Sequence, residues 1–201
     1  MARSMAFVTR GTIPVEHIMS AMSELSGGSD RAVAIVGGSL IETALTDAII
    51  VHLHRNKKLT DRMFSQSGPF GAFGTKINLA LLIGLIGVLA HKELTTIKDI
   101  RNTFAHDLGV TDFKSPKIMN WTKNLILCER YAVDSKQLRQ SIKGKIDFAT
   151  TPHRDWPHWV IINDLDAALK DPREKFLVTM QIFMWGFSIP DRTAMPSAIF
   201  Y

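Results

Sequence analysis

The stretch KELTTIKDIRNTFAHDL, residues 92–108, decides the fold class. At about 100° per residue, Leu94, Ile97, Ile100, Phe104 and Leu108 fall on one stripe in steps of three and four, the spacing of an amphipathic helix. The pattern predicts a helix from Ala90 to Leu108, closed by a left-handed cap at Gly109. Asp99, Asn102 and His106 cluster on the polar side, with Asn102 and His106 one turn apart. Arg101 lies at the edge of the apolar stripe, four after Ile97 and three before Phe104. A guanidinium stays charged there and requires acceptors, by partial burial, snorkelling or an interface.

Helical spacing extends in both directions from this segment. Pro14 to Leu25 reads as a short helix closed by Ser26-Gly27-Gly28. A longer helix starts at Ser29 or Asp30 and turns Val33, Val36, Leu40, Ala44, Ala48 and Leu53 inward. Gly37 and Gly38 inside it cost about 1 kcal/mol each relative to alanine, so another helix packs closely there or the helix bends. Leu59 to Phe64 makes a short helical turn, Ser67 to Gly74 a loop, and Phe73 to Leu85 a further helix. No alternating strand pattern is convincing before Arg130.

After Ser135, a weak basic helix to Ile146 and an irregular aromatic segment, Pro152 to Val160, lead to a final helix over Asp171 to Phe187. Asp171 is its cap and Pro172 its first helical residue. Phe176, Met180, Phe183, Met184 and Phe187 give that helix a face suited to packing against the bundle, with a dimer contact as the second reading. The expected fold is all-α: a helical bundle core over residues 1–130, with a less regular C-terminal extension, residues 131–201, packing on the same domain.

Composition narrows the function classes. With 46% hydrophobic residues in 201 the chain can bury a core, which excludes a disordered protein. The single cysteine, Cys128, excludes an internal disulfide and a four-cysteine zinc site. The N-terminus lacks the apolar run of a signal peptide, and Ile77 to Ala90 is shorter than the roughly 17 residues that span a bilayer. A cytoplasmic protein without a membrane partner is therefore expected. The net charge of +5 mildly favours polyanions. Lys136, Arg139, Lys143 and Lys145 could form a phosphate-binding stripe, the alternative being a solvated face.

The chemistry sits in Arg101, Asn102 and His106. This R-N-x-x-x-H arrangement resembles the signature of the HEPN superfamily, whose arginine and histidine form a metal-independent ribonuclease site. The resemblance implies Arg101 holding a scissile phosphate and His106 exchanging a proton, with Asn102 orienting the imidazole. On an ideal helix, residues five apart diverge by about 140°, so the pair converges only if the helix frays or a second subunit supplies the facing groups. That divergence makes a composite site attractive, and the HEPN resemblance implies a homodimer with this motif at its seam. Glu42 and Asp47, carboxylates on an otherwise apolar helix, are candidate partners of Arg101 in a structural ion pair.

A longer run of motifs is similar to the mannitol operon repressor family: Leu40 to Ile49 (LIETALTDAI), Ser67 to Phe73 (SGPFGAF), Lys76 to Ala80 (KINLA) through Gly84-Leu85-Ile86, and Ile100 to His106 (IRNTFAH). These cover about half the chain. The resemblance implies a helical bundle and a bacterial regulator that lacks a helix-turn-helix and acts through protein partners or unconventional nucleic-acid contacts. A HEPN-type ribonuclease or toxin-like relative using Arg101 and His106 stands as the alternative.

Other sites are weaker. Gly68 to Lys76 lacks the Gly-Lys-Ser/Thr ending of a phosphate loop and reads as a tight turn, with Phe70 and Phe73 plugging the core. His52 and His54 face different sides of a helix, and His153 and His158 have no cysteines near them, so no metal site and no cofactor are expected.

Overall fold

The computed structural model describes residues 15–53, 56–134 and 160–188. Helix α1 (Val15–Ser26) leads into Ser29, whose extended backbone and Oγ, accepting from the Ala32 amide at 3.2 Å, start α2 (Asp30–His52). Asn56 caps α3 (Lys57–Phe64) in the same way, through the Leu59 amide. Then come α4 (Phe73–Leu82), α5 (Val88–His106), α6 (Pro116–Lys123) and α7 (Leu127–Tyr131). Strands β1 (Ala132–Asp134) and β2 (Val160–Ile162) pair in parallel, Ala132 opposite Val160, ahead of α8 (Leu165–Lys170) and α9 (Pro172–Ser188). The fold is an all-α helical bundle with this one pair of three-residue strands at its flank.

Helices α4, α5 and α9 surround α2. Its inward face consists of Val33, Ala34, Gly37, Gly38, Ile41, Ala44, Leu45, Ala48 and Ile49. That corrects the expected stripe: Val36 is 48% exposed and Leu40 only half-buried. The two glycines face inward because neighbouring helices approach there, and a search for large apolar residues passes over such a face. A Cβ on Gly37 would collide with the end of the Met180 side chain of α9, and one on Gly38 would lie 2.8 Å from Cβ and Cγ of Arg101. Close helix packing, rather than a bend, accounts for the pair. By length and composition α2 could cross a bilayer; here its buried face is filled by the bundle.

The left-handed glycine cap falls at Gly84 (φ 70°), not at Gly109. Helix α4 accordingly stops at Leu82, with the Leu85 amide returning to the Ala80 carbonyl at 2.8 Å. Helix α5 ends instead in the extended backbone of Asp107, whose carboxylate accepts the Gly109 amide at 2.9 Å. Leu108, expected on the core stripe, lies beyond that end and is 84% exposed.

In the turn before α4, a Cβ on Gly68 would lie 2.5 Å from the Met63 carbonyl oxygen, so glycine is required by close approach to the end of α3. Phe73 plugs the core, while Phe70 is half-buried against Phe64 at 5.3 Å.

The final helix belongs to the centre of the bundle. Phe176, Met180, Ile182, Phe183 and Met184 are all buried. Asp171 caps α9 through the amides of Arg173 and Glu174, as its sequence predicts. Arg173 then reaches back to the α1–α2 turn, pairing with Asp30 Oδ1 at 2.9 Å and donating to the carbonyls of Ser26 (2.9 Å) and Gly28 (2.7 Å). One side chain thus ties the last helix to the first two.

Candidate functional site

Two adjacent residues of α2 set the path of the chain after α5. The Arg31 guanidinium donates to the carbonyls of Phe104 and Val110, covering the open C-terminal end of α5. Asp30 accepts the Phe113 amide through Oδ2 at 2.9 Å. Phe113 is buried between Phe104 and Phe176, 5.1 Å from each ring. These contacts return the chain onto α5, and Pro116 at the first turn starts α6 there.

Helix α6 is anchored by Ile118 and Thr122, both buried, which leaves Lys117 and Trp121 one turn apart on the adjacent face. Between them and the polar face of α5 lies an open groove of about 450 Å³, lined by Asp99, Asn102, Thr103, His106, Asp107, Lys117 and Trp121. The Lys117 ammonium sits 4.9 Å from the centre of the Trp121 ring. His106 is exposed at the end of α5, facing this groove.

Arg101 occupies a different space. Its aliphatic carbons press against Gly38 of α2, and its side chain is 30% exposed. Nη1 donates to Asn102 Oδ1 at 2.9 Å, Nη2 stands 3.9 Å from Glu42 Oε2, and Nε is buried without a hydrogen-bond partner. Glu42 is held more closely by Lys76, whose Nζ donates to Oε1 at 2.8 Å. Asp47 has no ion-pair partner among the described residues; burial raises its carboxyl above the ordinary range.

The structure therefore brings Asp99, Asn102 and His106 to one groove, and Arg101 with Glu42 to the α2–α5 contact. Asn102 is the link: its carbonyl oxygen accepts from Arg101 while its side chain lines the groove. That hydrogen bond leaves the same oxygen directed at Arg101 rather than at the His106 ring. Lys136, Arg139, Lys143 and Lys145 lie outside the described residues, as do His54, His153 and His158. No cluster of three or more metal-ligating side chains occurs among the described residues.

No family model, curated protein or solved structure matches the chain.

Lys76, Thr103, Asp107, Lys117 and Trp121 are the site residues that sequence reading missed. A signal existed for the last two, since Ser115-Pro116 announces a helix start and places Lys117 and Trp121 at i and i+4. Lys76 carried none, because its pairing with Glu42 joins residues 34 apart in sequence. Outside the groove, Glu93 is 1% exposed, with Oε1 accepting the Ile126 and Leu127 amides at 2.7 and 2.9 Å. It joins α5 to the start of α7.

Proposed function

We propose that this is a bacterial regulatory protein, of the kind suggested by its resemblance to the mannitol operon repressor family, which acts by binding a protein partner at the α5–α6 groove. The observation that carries this reading is the separation of Arg101 from His106. The histidine faces the groove between α5 and α6, whereas the arginine is engaged by Asn102 and lies beside Glu42 against α2. Arg101 is not among the residues that line the groove His106 faces, so a phosphate bound in that groove is not placed on the guanidinium within one chain. Asp99 and Asp107 also offset the attraction that Lys117 would exert on a phosphodiester backbone in the groove. Recognition rather than cleavage suits such a surface. In this reading α2 is a core helix, and the protein works in the cytosol as a homodimer.

A ribonuclease of HEPN type is the second reading, favoured by one contact. Asn102 bonds Arg101 and lines the His106 groove, so a two-fold axis beside Asn102 would bring the arginine of one copy towards the histidine of the other. The two readings part on one experiment. Under the regulator reading, purified protein in EDTA leaves single-stranded RNA intact, and His106→Ala changes nothing. RNA cleavage that His106→Ala abolishes would replace the regulator with the nuclease.

A further inference from the structure

The groove has a chemistry that selects its occupant. Trp121 is half-buried, packed against the hydrophobic core, and forms a wall of the groove. Over that ring stands the Lys117 ammonium, which has no carboxylate partner among the described residues. The cation is therefore held by the ring alone, on a flexible, exposed side chain that can leave. Two carboxylates stand nearby: Asp107, which accepts the Gly109 amide, and Asp99, paired at 3.0 Å with its half-buried neighbour Lys98. Asn102 has its carbonyl oxygen occupied by Arg101, so its NH₂ group is the part free to donate to a ligand.

We propose that the α5–α6 groove binds an arginine side chain presented by a partner protein, its guanidinium stacked on Trp121 between Asp99 and Asp107 as Lys117 swings away. This rests on the protein-binding reading above and names the partner's chemistry. An arginine fits better than a lysine, because a planar guanidinium stacks on an indole while its edge N–H groups fork onto carboxylates. The Asn102 amide meets a backbone carbonyl of the same segment. Lys117 is an internal competitor: it occupies the ring when the groove is empty and repels the incoming cation until it moves.

The test uses the full chain and a blocked peptide, Ac-Gly-Gly-Arg-Gly-Gly-NH₂, with citrulline, lysine and glutamate counterparts. Binding is read from the indole N–H resonance of Trp121, one of four tryptophans, assigned by its loss in Trp121→Phe. The arginine peptide moves that resonance, lysine moves it less, and citrulline and glutamate leave it in place. Lys117→Gln tightens binding and Asp99→Asn with Asp107→Asn weakens it, each by roughly three- to tenfold. All three positions are exposed or half-buried, and an unchanged melting temperature verifies that each variant is folded.

A Trp121 resonance indifferent to the arginine peptide in both the wild-type chain and Lys117→Gln overturns the proposal. So does a weaker complex in Lys117→Gln. If either occurs while RNA stays intact in EDTA, the arginine assignment falls and the regulator reading stands. A shift produced by oligouridylate, with cleavage, removes both.

Discussion

Gly38 of α2 and Arg101 of α5 touch so closely that a methyl group on the glycine would lie 2.8 Å from Cβ and Cγ of the arginine. The obstructing atoms are the first two carbons of the side chain, so the clash is relieved only by moving α5 itself. Overpacking of this kind costs about 1–3 kcal/mol, against which alanine regains about 1 kcal/mol of helix propensity. Gly38→Ala should therefore lower stability by up to about 2 kcal/mol in urea unfolding. Gly37→Ala meets the flexible end of Met180 and should cost less, within about 1 kcal/mol, because a thioether chain repacks. Equal effects at the two positions would contradict the close α2–α5 contact.

The same helix crossing sets what Arg101 does for stability. Glu42 keeps Lys76 at 2.8 Å when Arg101 is removed, and Arg101 stands 3.9 Å away at the limit of an ion pair. Arg101→Ala should thus cost less than about 1 kcal/mol. Lys76→Met strands Glu42 with a distant partner and should cost about 3 kcal/mol. Thermal melting of the two variants checks the order, and a larger loss in Arg101→Ala would make Arg101 the true partner of Glu42.

Periodicity makes the helices legible because each one needs only its own residues. Gly37-Gly38 announces either a close crossing or a bend, Asp171-Pro172 a helix start, and the angular position of Arg101 its place at the edge of the core. Which face of α2 turns inward is not legible in the same way, since its buried side is built largely from glycine and alanine against α5 and α9. The groove is legible only in part. Asn102 and His106 share a helix face by spacing alone, but α6 is brought opposite them by Asp30, Arg31 and Phe113, contacts between residues more than 70 apart in sequence. Local pattern carries no record of such pairings.

Arg173 makes the clearest long-range tie. Its fork holds Asp30 Oδ1 and two carbonyls of the α1–α2 turn, while Asp30 Oδ2 still accepts the Phe113 amide. Removing the guanidinium leaves a largely buried carboxylate and two carbonyls without their donor. Arg173→Ala should destabilise by about 3 kcal/mol, and Arg173→Lys should recover less than half of that, because an ammonium lacks the planar fork. Urea midpoints of the three proteins measure this, and full recovery by lysine would reduce the contact to simple charge attraction.

Glu93 should make stability fall as pH rises. The carboxyl is 1% exposed, Oε1 is satisfied by two amides, and Oε2 is buried with no partner. Burial pushes its pKa up from 4.5 to about 7, against the opposing pull of the Leu127 and Ile126 amides and Lys175, while Glu129 adds to the rise. Lys175 is itself paired with Glu129 at 2.9 Å, and the neighbouring Cys128 thiol is pushed up to about 11, so it stays neutral through this range. Because the folded pKa exceeds the unfolded one, the native state holds the proton more tightly. The resulting stabilisation is complete below pH 4.5 and is lost as pH passes through about 7, a change on the order of 3 kcal/mol. Glu93→Gln keeps an acceptor for the two amides and does not ionise. Urea unfolding of both proteins across this window should show wild-type stability declining relative to Glu93→Gln as pH rises. A difference that grows in the opposite direction would mean that Glu93 is folded in as a stabilised carboxylate, with Lys175 outweighing burial.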